Sequence, residues 1–144
     1  MEGYQFKSQI KVRYSEIDGQ KIVFNAHYMT YLDIAIGEYF NEGLKLGHLL
    51  SDGAFDFVLA KSTLEYKQPA RLRDVLDVWV RTVKLGRTSF VNEFVITRTE
   101  EKDPLITAEI VYVSIDPKTL KPTPIPDAVR NRIEEFERLQ RLQQ

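Results

Sequence analysis

Residues 14–28 read YSEIDGQKIVFNAHY and carry the chain from an alternating segment through a polar turn into a helical pattern. Before this stretch, Phe6, Ser8, Ile10, Val12 and Tyr14 share one parity, while Lys7, Gln9, Lys11 and Arg13 share the other. That period of two predicts a strand with one buried face. After it, Tyr28, Tyr31, Leu32, Ala35, Ile36 and Tyr39 recur at helical spacing, and Thr30, Asp33, Gly37 and Asn41 gather on the other side. The pattern predicts a helix ending near Gly43. Met29, Ile34 and Phe40 widen its apolar face, so it is expected to be largely buried. Gly37, at a cost of about 1 kcal/mol against alanine inside a helix, predicts a close backbone approach. The turn joins one acid, Asp18, to one helix N-terminus, with Asn25 as a candidate cap.

Downstream, past a loop around Ser51, Asp52 and Gly53, lie four β-rich runs: FDFVLAKSTLEY (55–66), VLDVWVRTVKL (75–85), SFVNEFVITRT (89–99) and LITAEIVYVSI (105–115). Short polar connections separate them, and parallel crossovers have no room. An antiparallel sheet with its principal helix on one face follows, an α+β architecture. The proline-marked segment DPKTLKPTPIP then leads to a charged helix over about 126–142, with Val129, Ile133, Phe136 and Leu139 as its apolar stripe.

Composition bounds the function. The 144 residues, 43% hydrophobic and 28% charged, suit one domain over 1–144 with a single core. A formal net charge of -1 gives no global reason to expect nucleic acid. With no cysteine, and only His27 and His48, disulfides, thiolate chemistry and a histidine-rich metal cluster are all ruled out. No signal-peptide core opens the chain, and no apolar run is long enough to span a membrane, so membrane insertion is not expected and a cytoplasmic location is.

The order of elements, and above all RYSEIDGQKIVFNAHYMTYLD, resembles the hot-dog fold of the hydroxybenzoyl-CoA thioesterase-like and related acyl-CoA thioesterase family. The residues carrying the resemblance are Asp18, Val23, Asn25, Ala26 and Tyr28. LEYKQPARLRD and LGRTSF resemble the family's second-strand turn and the segment opening its fourth strand. The match runs through Ile115 and leaves out the C-terminal helix. Two positions depart from it: many relatives have glycine where this chain has Lys21, and some have histidine at Asn25. Lys21 suits the turn if its backbone avoids positive φ, and its charge could attract an anionic ligand.

The resemblance implies a five-stranded antiparallel sheet wrapped around a long central helix, and hydrolysis of an acyl-CoA thioester without metal or redox cofactor. Asp18 would serve as general base or nucleophile. Amides near Asn25, Ala26 and His27 would hold the oxyanion. Tyr14 near Asp18, and His27 as proton donor to the departing thiolate, are further catalytic candidates. Ala26, Tyr28 and Glu65 are candidates for substrate contact, and Lys67, Arg71, Arg73, Lys84, Arg87, Thr88 and Ser89 for the CoA phosphates. Relatives pair sheets across subunits, so a homodimer or homotetramer is expected.

Each residue also has a structural reading. Asp18 suits a turn former, Asn25 an N-cap, Tyr14 the buried end of a strand, His27 a packed helix start, Glu65 a local pair with Lys67, and residues 87–89 a hairpin closure. Two other functions compete: a hydratase or dehydratase using Asp18 and His27, and a noncatalytic acyl-CoA-binding protein.

Overall fold

Five antiparallel strands form one sheet in the order β1–β3–β4–β5–β2 in the computed structural model, which describes residues 1–138. They are β1 (Phe6–Lys11), β2 (Asp56–Tyr66), β3 (Val75–Leu85), β4 (Ser89–Arg98) and β5 (Pro104–Ile115). The register sets one face of the sheet against the core: Phe6, Val80, Phe94, Ala108 and Leu64 lie in one row across all five strands. Alternation along each strand turns Trp79, Glu93, Thr107 and Glu65 to the other face. The α+β architecture inferred from element order is thus the one observed.

The central helix α1 (His27–Glu38) lies against the inner face and runs on through a π-helical turn, Tyr39–Gly43. It buries Tyr28, Tyr31, Leu32, Ala35 and Ile36, and the turn adds Tyr39 and Phe40. Two expectations fail here. Ile34 is 40% exposed, and a Cβ added at Gly37 would meet nothing within 4 Å. The helix is therefore amphipathic rather than largely buried, with Thr30, Asp33, Ile34 and Gly37 forming an uncovered stripe.

A short helix, α2 (Gly47–Ser51), occupies the segment read as loop. The C-terminal helix α3 (Asp127–Phe136) buries Val129 and Ile133. Arg132 Nε donates to Leu44 O at 2.8 Å, and Glu137 accepts from the Tyr39 hydroxyl and from Thr82 N at 3.0 Å. Burial raises the Glu137 carboxyl above its ordinary value, with the bonds from Tyr39 and Thr82 opposing. Leu139 and the rest of the predicted helix to 142 lie outside the described residues. Among those residues no helix is long and apolar enough to cross a membrane.

Among the described residues the sheet leaves one long edge uncovered. Strand β2 pairs with β5 alone, and its Val58 and Leu59 are 46% and 43% exposed.

Candidate active site

The turn between β1 and α1 is built around a buried acid. Arg13 N donates to Glu16 Oε1 at 2.9 Å, its guanidinium reaches Oε2 at 2.8 Å, and the Tyr31 hydroxyl donates to Oε1 at 2.8 Å. Glu16 is 5% exposed. Burial alone would raise its carboxyl, but the donors from Arg13 and Tyr31 hold it below the ordinary value. The carbonyl of Glu16 accepts Phe24 N at 3.0 Å, so this residue fixes both ends of the loop that carries Asp18.

Within that loop, Asp18 N donates to Ile22 O and Lys21 N to Asp18 O, each at 2.9 Å, and Ile17 bridges to Val23. Asp18 Oδ1 accepts Gln20 N at 2.7 Å, closing an Asx turn. Lys21 takes φ of 64°, against the expectation that it avoids the left-handed region. An L-residue there costs roughly 1–2 kcal/mol, the Cβ crowding that glycine escapes.

The loop is tied to the segment after β2. Val23 N donates to Ala70 O at 2.9 Å, Ile22 bridges to Arg71, and Ala70 N donates to the Tyr28 hydroxyl at 3.0 Å. Tyr28 is buried, which raises its phenol above the ordinary value, with the Ala70 amide opposing. Its hydroxyl is engaged in this anchor, so Tyr28 holds the site together from behind. Tyr28→Phe would strand a buried amide and is expected to cost about 1–3 kcal/mol, read as a lower melting temperature.

At the helix start, His27 N donates to Phe24 O at 2.9 Å and is therefore taken, whereas the amides of Asn25 and Ala26 make no hydrogen bond among the described residues. The residue before the helix is Ala26, and no side chain caps it, so Asn25 is not the cap that its residue type suggested. The ring of His27 packs edge-on to Phe24 at 6.1 Å.

Two adjoining clefts flank the Lys21–Ile22 backbone. One, of about 510 Å³, is lined by Tyr14, Ile17, Asp18, Gly19, Lys21 and Leu72. The other, of about 240 Å³, includes Asn25, Tyr28, Tyr66 and Lys67. Tyr14 is 80% exposed and lines the Asp18 cleft instead of ending a buried strand face, because β1 stops at Lys11. Arg71 is exposed beside the bridge to Ile22.

Five other candidates lie elsewhere, Lys84 among them at the hairpin end of β3. Glu65 is on the outer sheet face, where its carboxylate accepts from Thr107 Oγ1 at 3.2 Å instead of pairing with Lys67. It lines a separate groove of about 300 Å³ with Glu93 and Glu109. Arg87, Thr88 and Ser89 close the β3–β4 hairpin, held by Gly86 N to Ser89 O and Ser114 N to Thr88 O, both at 2.7 Å. The eleven residues of β3 separate that hairpin from the Asp18 end by roughly 35 Å. One chain does not bring them together.

Among the described residues, no three His, Asp or Glu side chains form a group that could hold a metal ion. Sequence reading missed Glu16, Tyr66 and Leu72. Glu16 alone left a signal, its capping-box spacing of three from Arg13.

An acid-bearing loop docked beside a helix start, on a sheet curled against that helix, defines a thioesterase-like architecture. Residues 12–133 match the family model described as the thioesterase-like superfamily, and the chain belongs to that family. Among its relatives, the Escherichia coli O157:H7 acyl-CoA thioester hydrolase YbgC is 29% identical over 124 residues, covering 86% of this chain and 92% of that protein. The E. coli K12 long-chain acyl-CoA thioesterase FadM is 28% identical over 130 residues, covering 90% and 98%. A crystal structure of a Thermus thermophilus thioesterase complexed with coenzyme A and Zn matches with a TM-score of 0.83. It is 31% identical to this chain, covering 97% of this one and 99% of that one.

Proposed function

We propose that this chain hydrolyses an acyl or aroyl thioester of coenzyme A to the carboxylic acid and free CoA. One observation carries the reading. Asp18 Oδ2 makes no hydrogen bond among the described residues, and the loop that carries it leads into the bare amides of Asn25 and Ala26 at the start of α1. The kinship with acyl-CoA thioester hydrolases supports the substrate class.

In the reaction, water adds to the thioester carbonyl and gives its proton to Asp18. The carbonyl oxygen becomes an oxyanion held by the two amides at the positive end of the helix, each such donor contributing on the order of 3 kcal/mol. Collapse expels the CoA thiolate, which takes the proton from Asp18. A second route has the carboxylate itself add to the carbonyl, expelling the thiolate and leaving an anhydride for water to open. Single turnover in oxygen-labelled water tests the second route, since label in Asp18 requires the anhydride. Label goes to the product acid on the first route, and to Asp18 when water opens the anhydride at the aspartyl carbon. No metal or cofactor enters either route. Asn25 contacts the substrate, Tyr14 borders Asp18, and His27 takes no part.

The chain also works as a homodimer in the cytoplasm. Support comes from β2, an eleven-residue edge strand with exposed apolar side chains and no partner on its outer side among the described residues. Its Asp56 end lies against Ile115, and Val113 pairs with Ser89, so the hairpin sits at that end of the sheet. Antiparallel pairing of two β2 strands about a dyad would set the Asp56 end of one copy against the Tyr66 end of the other. Arg87, Thr88 and Ser89 of the second copy would then face the Asn25 cleft of the first, ready for CoA phosphates. Lys67 and Arg71 add charge from the same copy.

Thiol release from a panel of acetyl-, octanoyl-, palmitoyl- and benzoyl-CoA tests the activity, and binding without release would defeat it. Paired substitutions Val58→Lys and Leu59→Lys are expected to shift elution on size exclusion to the monomer and to bring turnover to background. A monomer with full turnover would refute the shared site.

A further inference from the structure

Lys21 and Arg73 take the left-handed backbone region, with φ of 64° and 70°. Lys45, Glu100 and Leu120 do the same, so conformation alone singles out neither residue. Their location does. Lys21 lines the Asp18 cleft, and Arg73 directly follows Leu72, which lines it as well. The two turns are held side by side by the Ile22–Arg71 bridge, and Arg73 N donates to Val12 O at 3.2 Å.

Nearby carboxylates do not neutralise them. Glu16 is engaged by Arg13 at 2.8 Å and Asp74 by Arg98 at 2.9 Å. Asp18 commits Oδ1 to Gln20 N and lies within ion-pair distance of neither cation. Both side chains are exposed and make no side-chain hydrogen bond or ion pair among the described residues. A chain of net charge -1 therefore keeps one uncompensated cation, Lys21, on the wall of the cleft that holds its reactive carboxylate and a second, Arg73, one residue beyond that wall.

We infer that Lys21 and Arg73 clamp an anionic oxygen group carried by the substrate, a phosphate or a carboxylate, and so select which thioesters turn over at Asp18. This rests on the thioester-hydrolase reading. A lysine supplies a compact charge and an arginine a planar fork, and together they can bracket such a group with charge-assisted bonds. Neither touches the reacting carbonyl in this scheme, so their effect falls on KM, and kcat is left in place.

The anion has two sources, the CoA phosphates or a carboxylate at the far end of the acyl group. Four substrates separate them: octanoyl-CoA, the mono-CoA thioester of suberic acid, and the N-acetylcysteamine thioesters of the same two acids. Lys21→Gln and Arg73→Gln are each expected to lower kcat/KM about tenfold through KM, with kcat and melting temperature unchanged and Lys21→Arg restoring most of the loss. Loss on both CoA esters and on neither N-acetylcysteamine ester identifies a phosphate. Loss on both suberyl esters and on neither octanoyl ester identifies a carboxylate. If the double variant stays within about twofold of wild type on all four, the clamp is overturned while the hydrolase reading stands. A wild-type chain that turns over none of them overturns both.

Discussion

Asp18→Asn is expected to lower kcat/KM on the best acyl-CoA by about 1,000-fold, roughly 4 kcal/mol of transition-state stabilisation, with the melting temperature unchanged. Asparagine is the informative replacement because the native carboxylate has two jobs. Its Oδ1 closes the turn on Gln20 N, and the amide oxygen of asparagine can accept the same bond. What asparagine cannot do is take a proton from water or add to a thioester as a carboxylate does. The variant thus removes the chemistry and leaves the loop, whereas Asp18→Ala removes both. Residual turnover should reflect oxyanion stabilisation by the Asn25 and Ala26 amides, which the substitution does not touch. Near-normal turnover would mean that another group activates the water, and the mechanism would have to be rebuilt around the helix start alone.

The fold was legible because its signals are local and repeated. Alternation in β1 and the uninterrupted 75–85 run announce strands, and helical spacing of Tyr28, Tyr31, Leu32, Ala35 and Ile36 announces α1. Ile34 and Gly37 misled because hydrophobicity does not reveal which side of a helix lacks a neighbour. The site was legible only in part. Asp18 and Asn25 stand close in sequence and fall in adjoining clefts, but Arg87, Thr88 and Ser89 lie a strand length away. No pattern along one chain encodes a distance across a sheet, still less a contact with a second copy. The loss of the Asn25 cap has a different cause: the chain enters the helix with Ala26 already in helical φ and ψ, leaving amides bare. That departure from good capping sits where an oxyanion would need donors.

Glu16→Gln is the second large effect expected, and it acts on stability before chemistry. The carboxylate of Glu16 is buried and takes donors from Arg13 N, the Arg13 guanidinium and the Tyr31 hydroxyl. Hydrogen bonds to a buried charge contribute about 1.5–3 kcal/mol, so the neutral isostere should lower the melting temperature by roughly 5–10 °C at pH 7. The sign of the pH dependence follows from the lowered folded-state value. The carboxyl releases its proton more readily folded than unfolded, so its contribution is full above the unfolded value near about 4.3 and is lost as pH falls through the folded one. Wild type should therefore lose stability more steeply than Glu16→Gln on acidification, and the two melting curves should converge in acid. Parallel curves from neutral to acid would show that the charge contributes nothing and that shape alone holds the turn. Because the same residue fixes both ends of the Asp18 loop, Glu16→Gln should also reduce turnover at temperatures well below its melting point. Full activity in a destabilised variant would separate the loop's anchorage from its chemistry.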